Sequence, residues 1–175
     1  LVFDLDPGDG VAWPDVRNAA VELRQRLEQL GLRSFVKTTG GKGLHVCVPL
    51  LPKRTWQELE EFTRAVALRL ARDEPLAFTA NMAKAQRKGK VFVDYLRNVR
   101  GANAVGAFST RARPAAPVSV PVEWDELDRL SGATDFTVAE VPLRVLGFGS
   151  DRAADPWARY LEVKQSVPPS LTRDL

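Results

Sequence analysis

Two aspartates break an otherwise apolar opening, Leu1-Val2-Phe3-Asp4-Leu5-Asp6, and no other feature limits the chain's options as much. The run reads as a core strand. Side chains at i and i+2 of a strand share a face, so both carboxylates point the same way. Two anions that close repel each other, and burial raises the cost unless a cation lies between them. Hard oxygen ligands in such a pair suit Mg²⁺ or Mn²⁺, which take one or two carboxylates together with substrate phosphates.

Asp94 repeats the pattern at the end of Val91-Phe92-Val93. An aspartate there can simply end a strand and cap a turn, and for Asp94 alone that reading would stand. For Asp4 with Asp6 it is the weaker one, because both lie on one face beside Phe3 and Leu5. Two metals bridged by three such carboxylates would stabilise the attacking and leaving oxygens of an in-line phosphoryl displacement. That chemistry is common to polymerases and nucleases.

The loop Thr39-Gly40-Gly41-Lys42-Gly43 joins two predicted strands. Its three glycines let backbone N–H groups approach an anion, and Lys42 adds a point charge. It is not a P-loop, because a strand follows it where a Walker motif opens a helix. Seen alone it could be a hairpin with a surface lysine. His45, the chain's one histidine, starts the next strand two residues before Cys47. A lone strand histidine is ordinarily a satisfied core residue, but beside this loop His45 is a candidate triphosphate ligand.

The rest of the chain supplies the frame. Val16, Ala19, Ala20, Leu23, Leu27 and Leu30 recur at helical spacing after Pro14, and Gly31 fits a C-terminal cap. Strands are expected over 32–38, 44–50 and 90–95. Thr55 and Glu58 form a capping box ahead of the stripe Trp56, Leu59, Phe62, Val66 and Leu70. A polar, basic connector spans 74–89, and short helices are expected near 123–130, 138–146 and 156–165. The expectation is one domain over residues 1–175, an α/β or α+β fold with a mixed or antiparallel sheet flanked by helices.

With 25 basic and 22 acidic residues the net charge is only +3. Its distribution says more: residues 84–90 carry four positive charges, on Lys84, Arg87, Lys88 and Lys90, and no negative one. Such a run can be a solvated loop. Between candidate catalytic elements it points to polyanion contact. The single cysteine, Cys47, rules out an internal disulfide. No apolar run reaches the roughly 20 residues a membrane span needs. A reducing, cytoplasmic setting without membrane association is therefore expected.

Three stretches, Phe3-Asp4-Leu5-Asp6-Pro7, Thr38-Thr39-Gly40-Gly41-Lys42-Gly43-Leu44-His45 and Phe92-Val93-Asp94-Tyr95-Leu96-Arg97-Asn98, resemble in this order the motifs of the archaeo-eukaryotic primase superfamily. They are most similar to the polymerase domain of bacterial ATP-dependent DNA ligase D. The resemblance continues through Ser109-Thr110-Arg111-Ala112-Arg113 and covers nearly the whole chain. It implies a template-directed polymerase that extends primer ends with ribo- or deoxyribonucleoside triphosphates in non-homologous end joining and gap repair. By that resemblance Asp4, Asp6 and Asp94 hold two Mn²⁺ or Mg²⁺ ions. Thr39, Lys42, Gly43, His45 and Arg111 hold the nucleotide. Arg87, with Lys84 and Lys88 beside it, meets DNA, and Ku and a ligase module are the expected partners. Thr39 stands where the family usually has serine, which keeps the hydroxyl.

The family also carries an N-terminal segment ahead of its first motif, with basic residues that bind the 5′-phosphate of downstream DNA. Nothing in the sequence matches it, so the chain is expected to be a fragment. The main rival reading is a haloacid-dehalogenase-like phosphatase, whose first motif is also Asp-x-Asp with a nucleophile and a general acid. It calls for a late acidic pair, for which Asp151 and Asp155 are poor substitutes. A non-catalytic DNA-end-binding module on the same fold is the other.

Overall fold

The computed structural model describes residues 1–148 and 155–168. Its centre is a six-stranded sheet of β1 (Val2–Pro7), β2 (Phe35–Thr38), β3 (Leu44–Cys47), β4 (Phe78–Thr79), β5 (Val91–Asp94) and β6 (Pro121–Val122). The order is β4-β5-β1-β3-β2-β6, and every pairing is antiparallel except β4 with β5. This is the mixed sheet expected from the sequence.

The period of two divides each strand between two environments. Phe3 and Leu5 of β1, Leu44 and Val46 of β3, Val36 of β2 and Val93 of β5 are wholly buried in one apolar cluster. Two helices, α1 (Trp13–Gln29) and α2 (Trp56–Asp73), cover that face with Ala20, Leu23, Leu27, Phe62 and Leu70. Burying a large apolar side chain contributes about 1.5–3 kcal/mol, so this face carries most of the stability.

Local signals fix both helices. Pro14 lies in the first turn of α1, and Gly31 beyond its end takes φ +72° while its N–H donates to Glu28 O at 2.9 Å. The Thr55–Glu58 capping box forms reciprocally: Glu58 N donates to Thr55 Oγ1 at 3.2 Å and Thr55 N to Glu58 Oε2 at 2.7 Å. Among the described residues no helix is long and apolar enough to cross a membrane.

The C-terminal expectations need correction. The helix expected near 123–130 is only a 3₁₀ turn at Glu126–Arg129. The one expected near 138–146 forms as α3 (Val141–Phe148). The one expected near 156–165 is a set of turns with a 3₁₀ segment at Tyr160–Glu162. There Trp157 and Tyr160 stack at 4.7 Å and meet Phe35 edge-on, so their spacing serves a ring cluster instead of a helical stripe. The connector 74–89 also holds β4, unexpected from sequence because two residues show no alternation. Asp151 lies outside the described residues.

Candidate metal and nucleotide site

The sheet face away from α1 and α2 carries the polar residues. Cross-strand partners share a face, and the register pairs Asp4 with Asp94 on β5 and with His45 on β3, which in turn pairs with Lys37 on β2. A single row, Asp94–Asp4–His45–Lys37, therefore crosses four strands, with all four residues buried. Asp6 pairs with Phe92 and lies on the same face. The three aspartates offer carboxylate oxygens that all lie within 4.8 Å of one another.

The ion pairs show how this charge is held. Asp4 Oδ1 lies 3.3 Å from His45 Nε2, and Asp4 Oδ2 lies 3.2 Å from Arg97 Nη2. The same guanidinium nitrogen is 3.1 Å from Asp94 Oδ2. Burial pushes the Asp4 carboxyl up, but the hydrogen bonds and charges of His45 and Arg97 outweigh it and leave Asp4 below its ordinary value. Among the described residues Asp6 makes no ion pair, and the charges of Arg97 and Arg87 only partly offset what raises it. Burial first, then the charges of Asp4 and Asp94, raise its carboxyl above the usual range. An unmatched carboxylate beside two others is the electrostatic condition a divalent cation relieves, and hard oxygen donors suit Mg²⁺ or Mn²⁺. The donor set fits such ions.

Asp94 is also the turn cap that a single strand-ending aspartate suggests. Its Oδ1 accepts from Leu96 N at 2.9 Å while Oδ2 faces Arg97. Asn98 then completes the sheet where β5 stops: its Oδ1 accepts from Val2 N at 2.8 Å, and its Nδ2 donates to Val2 O at 2.7 Å.

The glycine loop closes one side of a cleft of about 550 Å³ that also exposes Asp4, Asp6, His45, Arg97 and Arg111. Thr39 Oγ1 donates to Gly43 O at 2.9 Å and accepts from Gly41 N at 3.2 Å, so the loop is wound around the threonine hydroxyl. Lys42 is exposed at its tip. Gly43 is glycine for a packing reason: a Cβ there would lie 2.0 Å from Leu5 O. Gly40 has φ +61°, and a Cβ on it would meet Arg111 Cγ at 2.9 Å. Arg111 is thus laid across the loop, its Nη1 donating to Thr39 O at 3.4 Å.

The basic connector divides. Lys84 and Lys88 are exposed. Arg87 is half-buried, its guanidinium 3.7 Å from the Phe92 ring centroid and donating to Met82 O. It packs beside the acidic site instead of extending into solvent. Sequence reasoning missed Arg97 and Lys37 as site residues. Arg97 had a signal, since it lies three residues after Asp94 in the turn that Asp94 caps. Lys37 had none, because only the strand register brings it into the row.

These observations agree with known proteins. The family described as "LigD, primase-polymerase domain" matches residues 1–157. The multifunctional non-homologous end joining protein LigD of Pseudomonas aeruginosa is 43% identical over 175 residues, which is 100% of this chain and 20% of that protein. The bifunctional non-homologous end joining protein LigD of Bacillus subtilis is 30% identical over 146 residues, 83% of this chain and 24% of that protein. The chain thus spans about a fifth of the length of these curated relatives. Among solved structures, the polymerase domain from Mycobacterium tuberculosis ligase D in complex with DNA superposes with a TM-score of 0.81 at 35% identity, covering 91% of this chain and 53% of that one. The phosphatase reading falls with these matches and with the position of Asp94, which sits opposite Asp4 and not in a late acidic pair. The chain belongs to the LigD primase-polymerase domain family.

Proposed function

We propose that this chain is the nucleotidyltransferase core of a DNA-end repair enzyme, adding ribo- or deoxyribonucleotides to primer ends opposite a template in non-homologous end joining and gap repair. The observation that carries this reading is the convergence of Asp4, Asp6 and Asp94 beside a glycine loop bearing Lys42 and overlaid by Arg111. Asp4, Asp6 and Asp94 would hold two Mn²⁺ or Mg²⁺ ions. When bound, the ions neutralise charge that builds up on the transferring phosphoryl group.

The chain's own residues bind and orient. Lys42 and Arg111 line the cleft as cations for a triphosphate, while Thr39 and Gly43 set the loop's shape, the Thr39 and Gly41 N–H groups being bonded within the loop. His45 is fixed by Asp4 between loop and acidic row. Lys84, Arg87 and Lys88 would meet DNA phosphates, the two lysines exposed and Arg87 half-buried against Phe92 beside Asp6. DNA ends and gapped duplex are the proposed substrates, with Ku and a ligase module as partners in a cytoplasmic setting. The name of the M. tuberculosis structure and the end-joining names of the relatives support this reading.

The test is primer extension on a short gapped duplex with Mn²⁺ and each ribonucleotide, wild type beside Asp94→Ala. Template-directed addition should fall by more than about 10³-fold in the variant, since a metal ligand acts in the transition state. DNA binding, read by gel shift, should change little. Comparable synthesis by the variant would end the metal assignment. Lys42→Ala should raise the apparent KM for nucleotide with kcat nearly constant, because a point charge on phosphate binds ground and transition states alike.

A further inference from the structure

Lys37 lies in the same row as Asp94, Asp4 and His45, yet it is 3% exposed and does not line the cleft. A buried ammonium is costly unless it is hydrogen-bonded, and its natural partner is a carboxylate. Here its Nζ donates to a hydroxyl, Ser119 Oγ, at 2.7 Å. Burial pulls the lysine down to about 8. Ser119 is wholly buried, and its Oγ donates onward to Thr38 O at 2.7 Å. The directions are forced while the lysine is charged: an ammonium can only donate, so the serine oxygen accepts from Nζ and spends its proton on the β2 carbonyl.

Ser119 is a node of the segment that presents Arg111. Ser119 N donates to Ser109 O at 2.9 Å, Phe108 N to Ser119 O at 2.6 Å, and Arg111 N to Pro117 O at 2.8 Å. Thr110 bridges Val118 in antiparallel fashion. On the other side, Val120 N donates to Thr38 Oγ1 at 3.0 Å and Thr38 N to Val120 O at 3.0 Å. The segment 108–120 is therefore stitched to β2 around Thr38, just ahead of the β6 ladder at Pro121 and Val122, and Arg111 projects from its far end over Thr39 and Gly40.

We infer that Lys37 and Ser119 are positioning residues, a buried Lys–Ser–carbonyl relay that sets where Arg111 stands over the glycine loop without touching the nucleotide. The relay gives the loop one height above the sheet that also carries the acidic row. Its value for nucleotide binding rests on the proposed role of Arg111. The position of the segment does not.

The experiment pairs two readouts on the whole 175-residue chain. Backbone amide hydrogen exchange at Arg111, Ser119 and Val120 reports the segment, and fluorescence titration with Mn²⁺–ATP reports the nucleotide. Ser119→Ala should speed exchange at those amides and weaken ATP each by about tenfold, the effect of losing roughly one hydrogen bond. Lys37→Met should do the same, and Ser119→Thr, which keeps the hydroxyl, should restore both. Primer extension should show the loss in KM and not in kcat. In an Arg111→Ala background, Ser119→Ala should cost no further ATP affinity. Unchanged amide exchange in Ser119→Ala would overturn the inference, as would losses that add fully to those of Arg111→Ala. An Arg111→Ala chain that binds ATP normally would instead sink the nucleotide reading, and the exchange data would still decide on the relay. If Ser119→Ala does not fold, Lys37→Met, with the hydroxyl intact, carries the same comparison.

Discussion

The two faces of one sheet obey opposite rules. On the helix side, Phe3, Leu5, Val36, Leu44 and Val46 are wholly buried among apolar side chains, and each is replaceable only by something of similar shape. On the other side, one residue away along the same strands, Asp4, His45, Lys37 and Asp94 are almost as buried but charged or polar. The first face releases free energy on folding. The second costs some, and keeps its charges together through Arg97, His45 and Ser119. A period of two lets a six-residue strand do both at once.

That contrast can be broken most sharply at adjacent positions of β1. Leu5→Ala should destabilise the chain by about 2–5 kcal/mol, the cost of a cavity in a packed core. Activity at a temperature where the variant is folded should be nearly retained. The neighbouring Asp4→Ala should reverse the pattern, with nucleotide addition lost and the denaturation midpoint moved far less. Urea titration and primer extension on both variants decide it. Equal destabilisation by the two would mean that the polar face is structural.

A smaller effect of unusual sign is expected at Asp6. Its carboxyl is raised by burial and by Asp4 and Asp94, so its ionised form opposes folding above the usual carboxylate range. Asp6→Asn removes the repulsion and should stabilise the metal-free chain by something under about 1 kcal/mol, given partial solvent screening. It should also weaken Mn²⁺ binding by at least about tenfold. A melting temperature in chelator that falls instead of rising would show that Asp6 is already compensated in the metal-free protein.

How much of this was legible in the sequence follows the same division. Periodicity exposed β1, α1 and α2 because each buries one face, and an aspartate on an apolar strand conflicts with that burial wherever it sits. The glycine loop was legible as a loop, but the reason for Gly43 was not: the Leu5 carbonyl that excludes a Cβ belongs to a strand thirty-eight positions away in sequence (43 − 5). Arg87 read as a DNA contact within a basic run, but its stacking on Phe92 was not legible, since a charge count cannot show a cation–π contact. Lys37 was silent for a related reason. On a single strand it is one polar residue between Val36 and Thr38, and only the pairing of β2 with β3 and β3 with β1 aligns it with Asp4.

The subtlest test of the polar face is therefore the pH dependence of stability. Burial lowers Lys37 from 10.5 to about 8, so between those values the unfolded chain holds a proton that the folded chain has released. Stability should rise with pH across that window, with a slope approaching about 1.4 kcal/mol per pH unit for one proton. Cys47 acts in the other direction. Burial raises its thiol from 9.0 to about 11, so the folded chain keeps a proton there that the unfolded chain loses, and stability falls. The wild type should thus gain stability from about pH 8 to 9, level off, and fall above about pH 10, where burial also holds the proton on Tyr160. Lys37→Met should lose the gain and show only the decline, as urea midpoints across the range would reveal. Parallel curves for wild type and variant would mean that Lys37 is no more desolvated than a surface lysine, and that the row across the four strands ends at His45.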